Sequence, residues 1–263
     1  MLVVAGCSFE VTPGAAGGGA DDVDAGVDAA IAIDGSPDAQ AAPLPLFAAS
    51  NQMLHELDLD AHTTRLVGPI APPGGSPIDV DGLALNGTML IGLTPGGGEL
   101  ITIDPATASV TQRKTLSPAG PLGGLTVAPA GEIGADAIVF AGSGDKLVRI
   151  NTATGAVSTV GLFGQGMQFY TDLAWVKGVG LFATLHQGPC VDVCFARINP
   201  STGVATVFRS NLTGTGANLF GLSGYRDSLW AFNSAGPVLA VNQATGLMTL
   251  EFDPLIPWTE AAQ

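Results

Sequence analysis

Ile-Asn-Thr-Ala-Thr-Gly at 150–155, Ile-Asn-Pro-Ser-Thr-Gly at 198–203 and Val-Asn-Gln-Ala-Thr-Gly at 241–246 are copies of one phrase. Two further copies lack the glycine: Ile-Asp-Pro-Ala-Thr at 103–107 and Leu-Asp-Ala-His-Thr at 59–63. Read this way, the anchor residues Asp60, Asp104, Asn151, Asn199 and Asn242 stand 44, 47, 48 and 43 residues apart. The phrase has the chemistry of a tight turn. An Asx side chain bonds the backbone two residues on, Pro105 and Pro200 preset φ, and glycine tolerates positive φ. Strand-like runs precede it (Leu100 to Ile103, Leu147 to Ile150, Phe195 to Ile198) and follow it (Val110 to Leu116, Val157 to Val160, Val204 to Phe208). Each copy therefore reads as a β-hairpin.

Working outward, each unit holds two more strand-like runs upstream. The nearer ones include Met89 to Leu93, Ala137 to Ala141, Leu181 to Leu185 and Leu229 to Phe232. The farther ones are short: Gly82-Leu83-Ala84, Gly124-Leu125-Thr126, Leu173-Ala174-Trp175 and Gly221-Leu222-Ser223. Four short strands in a repeat of about 45 residues describe one blade of a β-propeller. The first unit has middle strands at Leu44 to Ala49 and Leu54 to Leu59 and an outer one at Arg65 to Val67, but no inner strand before them. Pro257 to Ala262 follows the last unit and offers the missing one. The expectation over 44–263 is an all-β fold: five four-stranded blades, closed into a ring by the C-terminal strand so that no inner edge is left open.

The turn phrase resembles that of the secreted propellers of the quinoprotein-like and YVTN-like kind, which read hydrophobic, Asp or Asn, Pro, any residue, Thr, Gly, any residue, Val. The resemblance spans 44–263. It implies the architecture and says almost nothing of activity, because the phrase marks a turn. The Trp-Asp dipeptide of another propeller class is absent.

The first 43 residues have a different character. Leu2-Val3-Val4-Ala5-Gly6-Cys7 resembles the lipobox of bacterial lipoproteins, with Val4, Ala5, Gly6 and Cys7 matching position by position. The resemblance implies a signal-peptide remnant at 1–7, lipid on Cys7 and attachment to a membrane through that lipid. Ser8 after the cysteine implies the outer membrane, on its periplasmic or its surface side. Six residues precede Cys7 and none is basic, so the export signal is expected to start further upstream. Residues 8–43 carry seven acids (Glu10, Asp21, Asp22, Asp24, Asp28, Asp34, Asp38), no Lys or Arg, and many Gly and Ala. Such a segment buries too little apolar surface to offset its ordering entropy and reads as an acidic disordered linker.

The whole chain of 263 residues carries 23 acidic and 9 basic residues, a net charge of −14. That charge repels phosphate backbones and excludes nucleic acid as a partner. Cys190 and Cys194 bracket a short loop. In an oxidising compartment they are expected to form a disulfide, the alternative being half of a metal site for which no second pair exists. The loops between blades contain Asp79, Asp81, Phe163, Phe169, Tyr170, Asp172, Asn218 and Phe220. Asp81 and Asp172 read as equivalent positions just before an inner strand. They would either cap turns there or hold a calcium ion, and no other cofactor is implied. Arg149 and Arg197, each one residue before a turn phrase, read as plain solvent-facing residues. No Ser-His-Asp spacing, phosphate-binding loop or metal cluster emerges around His55, His62 and His186.

Two functions are compatible with this. One is a monomeric binding or scaffolding module for an envelope protein or glycan, with Asp81, Tyr170, Asp172 and Phe220 at its contact face. The other is a hydrolase (lactonase-like) or dehydrogenase-like enzyme acting on a small molecule in the central channel. The bland repeat and the missing catalytic cluster favour the first.

Overall fold

The computed structural model describes residues 45–212 and 218–262. Cys7 and the 8–43 linker lie outside the described residues. Five four-stranded antiparallel sheets are present. Blade 1 consists of β1 (Leu46–Ser50), β2 (Met53–Asp58) and β3 (Thr63–Pro69). Blade 2 is β4 (Gly82–Asn86), β5 (Met89–Leu93), β6 (Glu99–Ile103) and β7 (Val110–Thr115), and blade 3 is β8 (Gly123–Ala128), β9 (Ile138–Ser143), β10 (Lys146–Ile150) and β11 (Val157–Leu162). Blade 4 is β12 (Gln168–Val176), β13 (Gly180–His186), β14 (Val193–Ile198) and β15 (Ala205–Arg209). Blade 5 is β16 (Leu219–Tyr225), β17 (Ser228–Asn233), β18 (Val238–Val241) and β19 (Met248–Phe252). The last strand, β20 (Glu260–Ala262), pairs with β1 and completes blade 1 from the far end of the chain. The inner strands touch in the cycle β4, β8, β12, β16, β20 and back to β4. The chain folds into a five-bladed β-propeller.

Both faces of every blade are covered, which is why the inner and middle strands are apolar almost throughout. Five apolar clusters result, one at each interface between neighbouring blades. The cluster between blades 5 and 1 is built around Trp258, which precedes the closing strand. Its ring is fully buried edge-on to Phe232 and His55, and its Nε1 donates to Gly236 O at 2.7 Å. Trp258 thus seats the end of the chain before three residues of strand complete the ring.

The turns behave as their composition dictates. Asn151 Oδ1 accepts from the backbone N–H groups of Ala153 and Thr154, and Asn199 and Asn242 repeat the pattern. Blade 1 corrects the sequence reading. Its turn is anchored by Asp58, not Asp60: Asp58 Oδ1 accepts from Asp60 N at 2.9 Å and Ala61 N at 3.0 Å. Leu57 pairs with Thr64 just as Ile103 pairs with Val110. The stretch Leu57-Asp58-Leu59-Asp60 offers the same dipeptide twice, and the wrong copy happened to place a threonine in phase. In the true register His62 (φ 52°) and Ala108 (φ 60°) take the left-handed place that Gly155, Gly203 and Gly246 fill elsewhere.

Each turn also docks onto the preceding blade. Val110 N donates to Ala71 O and Val157 N to Ser117 O, both at 2.8 Å, and Ala205 N donates to Phe163 O at 3.0 Å. Cations reinforce this seam. Lys114 Nζ reaches Ala153 O at 2.5 Å, Arg149 reaches Pro200 O at 3.2 Å and Arg197 reaches Gln243 O at 3.5 Å. Arg226 pairs with Asp60 at 2.7 Å across the closure. Arg149 is therefore half-buried rather than plainly solvent-facing, whereas Arg197 is exposed as expected while reaching across the seam. Each guanidinium also lies over a ring of its own blade, Phe140 at 5.6 Å and Phe182 at 5.2 Å.

Close approach makes one glycine indispensable. A Cβ on Gly203 would stand 2.5 Å from Gly161 O of blade 3, and its φ is +78°. Gly203→Ala is expected to cost about 1–3 kcal/mol through backbone strain and overpacking, read as a lower midpoint in urea with unchanged slope. Deleting residues 257–263 should cost far more, because Trp258 and the closing strand leave together. A deletion variant that melts like the intact chain would show that the ring does not depend on β20.

Candidate functional site

Strand pairing aligns the five inner strands residue by residue. Leu83, Leu125, Leu173, Leu222 and Ala261 each face the equivalent residue of the second strand. The residues just before them are Gly82, Gly124, Asp172, Gly221 and Glu260. Three glycines and two carboxyls thus share one level around the axis. The glycines leave the room the carboxyls need: a Cβ on Gly124 would lie 2.8 Å from Asp172 Oδ1.

Asp172 is 0% exposed and spans the ring. Its Oδ1 accepts from Leu173 N of its own strand at 2.7 Å and from Leu125 N of blade 3 at 3.3 Å. Its Oδ2 accepts from Leu222 N of blade 5 at 2.7 Å. Glu260, 5% exposed, arrives from blade 1 and bonds to Asp172 through its side chain, while its Oε2 is buried without a partner. One carboxylate therefore ties the inner strands of blades 3, 4 and 5 together, and the closing strand bonds to that same carboxylate.

The electrostatics follow from the burial. Loss of water raises both acids well above the ordinary carboxylate range. At Asp172 three backbone N–H groups oppose the rise. At Glu260 nothing does, and the charges of Asp172 and Asp81 push it further up. The proton of the pair consequently resides on Glu260, which donates to Asp172. Below this level the axial void measures about 10 Å³, lined by residues such as Leu83, Leu125, Leu173, Ser223 and Ala262. That is room for about one water molecule.

The residues singled out from sequence fare differently. Asp81 is one position out of phase with Asp172: Leu83 and Leu173 are equivalent, so Gly82 stands where Asp172 does. Asp81 Oδ2 accepts from Gly96 N at 3.1 Å, capping the loop between β5 and β6. Asp172 lies inside and takes part in no surface. Tyr170 is half-buried against His186, with ring centroids 5.6 Å apart, and Phe220 is 41% exposed at the mouth of the channel. Cys190 and Cys194 form a disulfide across the loop between β13 and β14, which overturns the half-metal-site reading. Among the described residues no group of three or more His, Cys, Asp or Glu side chains is arranged to hold a metal ion. Glu260 was missed. Its signal was a second acid preceding a small-residue strand, in phase with Asp172 once that strand is taken as Glu260–Ala262 rather than 257–262.

No protein-family model matches the chain, and neither does any curated protein. Among solved structures, the chain superposes on one from the crystal structure of a nidogen/laminin complex with a TM-score of 0.54 at 13% identity, covering 83% of this chain and 97% of that one. A Bacteroides thetaiotaomicron protein of unknown function gives 0.53 at 11% identity, covering 78% of this chain and 54% of that one. The likeness is one of fold. At such identities the β-propeller is what the three share.

The protonated Glu260 has a measurable consequence. Its ordinary value is 4.5 and its folded value is higher, so the folded state holds a proton that the unfolded chain releases above pH 4.5. Its contribution is therefore full in acid and is lost as pH rises toward the folded value. Glu260→Gln keeps a donor toward Asp172 and does not titrate. Its melting temperature should match the wild type below pH 4.5 and gain steadily on it as pH rises above that value. Parallel curves for the two proteins would show that Glu260 is not the proton carrier.

Proposed function

We propose that this protein is a lipid-anchored bacterial envelope protein whose propeller binds a protein or glycan partner across the face at the mouth of the channel. The observation that carries the reading is the closed axis. The carboxyl pair and the small void of about 10 Å³ beside it support recognition on the outer face rather than chemistry inside the channel.

That end of the strands differs from blade to blade, whereas the turn end repeats the same Asx geometry. Loops at the channel mouth present Phe220, Val191 (79% exposed) and Leu255 (80% exposed), with the Tyr170–His186 pair beside β12. Aromatic and branched apolar side chains supply contact area at low entropic cost, and Asp79 and Asp81 add negative charge nearby. The solved nidogen/laminin complex pairs its propeller-like chain with a protein, which agrees with a binding role for a fold of this kind. The anchor rests on the lipobox resemblance at Cys7, and the acidic 8–43 segment would then act as the spacer between membrane and ring.

Two measurements test this. Expressed behind a complete export signal, the wild type should incorporate a labelled fatty acid and Cys7→Ser should not; equal labelling sinks the anchor. A photo-crosslinking residue at position 220 should trap a discrete partner in intact cells, while the same residue at position 204, on an Asx turn, should not. Crosslinking at 204 with none at 220 would place the contact on the opposite face.

A further inference from the structure

A cleft of about 260 Å³ lies between blades 2 and 3 on the Asx-turn side, away from the channel mouth. Its origin is visible when blades 2, 3 and 4 are compared at one paired position of their second and third strands. In blade 3 Phe140 pairs with Arg149, and in blade 4 Phe182 pairs with Arg197. In both, the guanidinium lies over the ring and reaches a turn carbonyl of the next blade, Pro200 O or Gln243 O. In blade 2 the same pair is Ile91 and Thr102. Two large side chains are replaced by two small ones, and the space that arginine fills at the next two interfaces stands open.

What remains there suits the missing group. Ile91 and Leu100 form an aliphatic floor for a three-carbon stem. Asn86, Gln112 and Thr102, whose side chains carry oxygen acceptors, line it as well. Thr152, which follows Asn151 as Pro200 follows Asn199 and Gln243 follows Asn242, borders the same cleft. A guanidinium offers five N–H donors in a plane and needs such acceptors. Lys114 at the rim is no obstacle. It pairs with Leu100 as Arg209 pairs with Phe195 in blade 4, where Arg209 packs against the Gly246 turn and coexists with Arg197.

We propose that this cleft receives one arginine side chain of a protein partner, held as the chain holds its own Arg149 and Arg197. It is a second contact point, independent of the face at the channel mouth.

The probe is N-acetyl-arginine methylamide, titrated into the full chain and followed by amide chemical shifts. Millimolar binding is expected, with shifts centred on Thr102, Gln112 and Thr152, and the lysine analogue should bind at least about fivefold more weakly for want of a planar fork. Ile91→Phe with Thr102→Arg rebuilds the neighbouring blades' arrangement and should abolish those shifts while raising the melting temperature. Should that double variant fold poorly, Gln112→Ala, an exposed change, should still weaken binding about threefold. Equal affinity for the lysine analogue, shifts that persist in the refilled cleft or under Gln112→Ala, or no shift at about 20 mM probe would each overturn the proposal. None of these outcomes bears on crosslinking at position 220.

Discussion

A ring of blades has no natural centre of cohesion, since each blade packs only on its two neighbours. In this protein the Asp172 carboxylate supplies one. It accepts N–H groups from the inner strands of blades 3, 4 and 5 and bonds to Glu260 of blade 1. A buried carboxylate is costly unless every lone pair has a donor, and here the donors are backbone groups already fixed by the sheets. The glycines at positions 82, 124 and 221 belong to the same arrangement, because a side chain at any of them would crowd the ring. Burial of Glu260 then follows, and so does the location of the shared proton.

The outer seam works by a different principle. There, the Asx turn of each blade is both the reversal of its own hairpin and the docking surface for its predecessor. Backbone bridges carry most of this, and long cationic side chains reach over the joint to a carbonyl or carboxylate. Such exposed bonds contribute little individually, but several in sequence hold blade spacing constant. The first blade shows how tolerant the turn is, with His62 in a left-handed conformation stacked on Phe252 where blades 3, 4 and 5 use glycine.

Most of the architecture was legible because local chemistry and global order coincide in a repeat: the Asx phrase, the flanking apolar runs and the spacing all report the same blade. The closing strand was legible too, from the absence of an inner strand before Leu46. What was not legible depends on phase and on neighbours. Leu57-Asp58-Leu59-Asp60 supports two registers, and only the pairing of Leu57 with Thr64 decides between them. Arg149 looked solvent-facing because its acceptor, Pro200 O, lies in another blade. Asp172 looked like a surface carboxylate because nothing in its own segment shows that Leu125 and Leu222 present their N–H groups to it. Of the four residues named for a contact face, the structure leaves Phe220 and Tyr170 at the channel mouth, gives Asp81 a capping role and withdraws Asp172 into the axis.

The position of β20 sets an order of events during biogenesis. Nineteen strands precede Glu260–Ala262, and the ring cannot close until this one arrives. A ribosome or a translocation channel delivers the chain from its beginning, so the blades can form one after another while the axis stays unsealed. Closure therefore acts as a completeness check. A chain cut short before β20 exposes the inner face of blade 1 and leaves Asp172 without its partner Glu260.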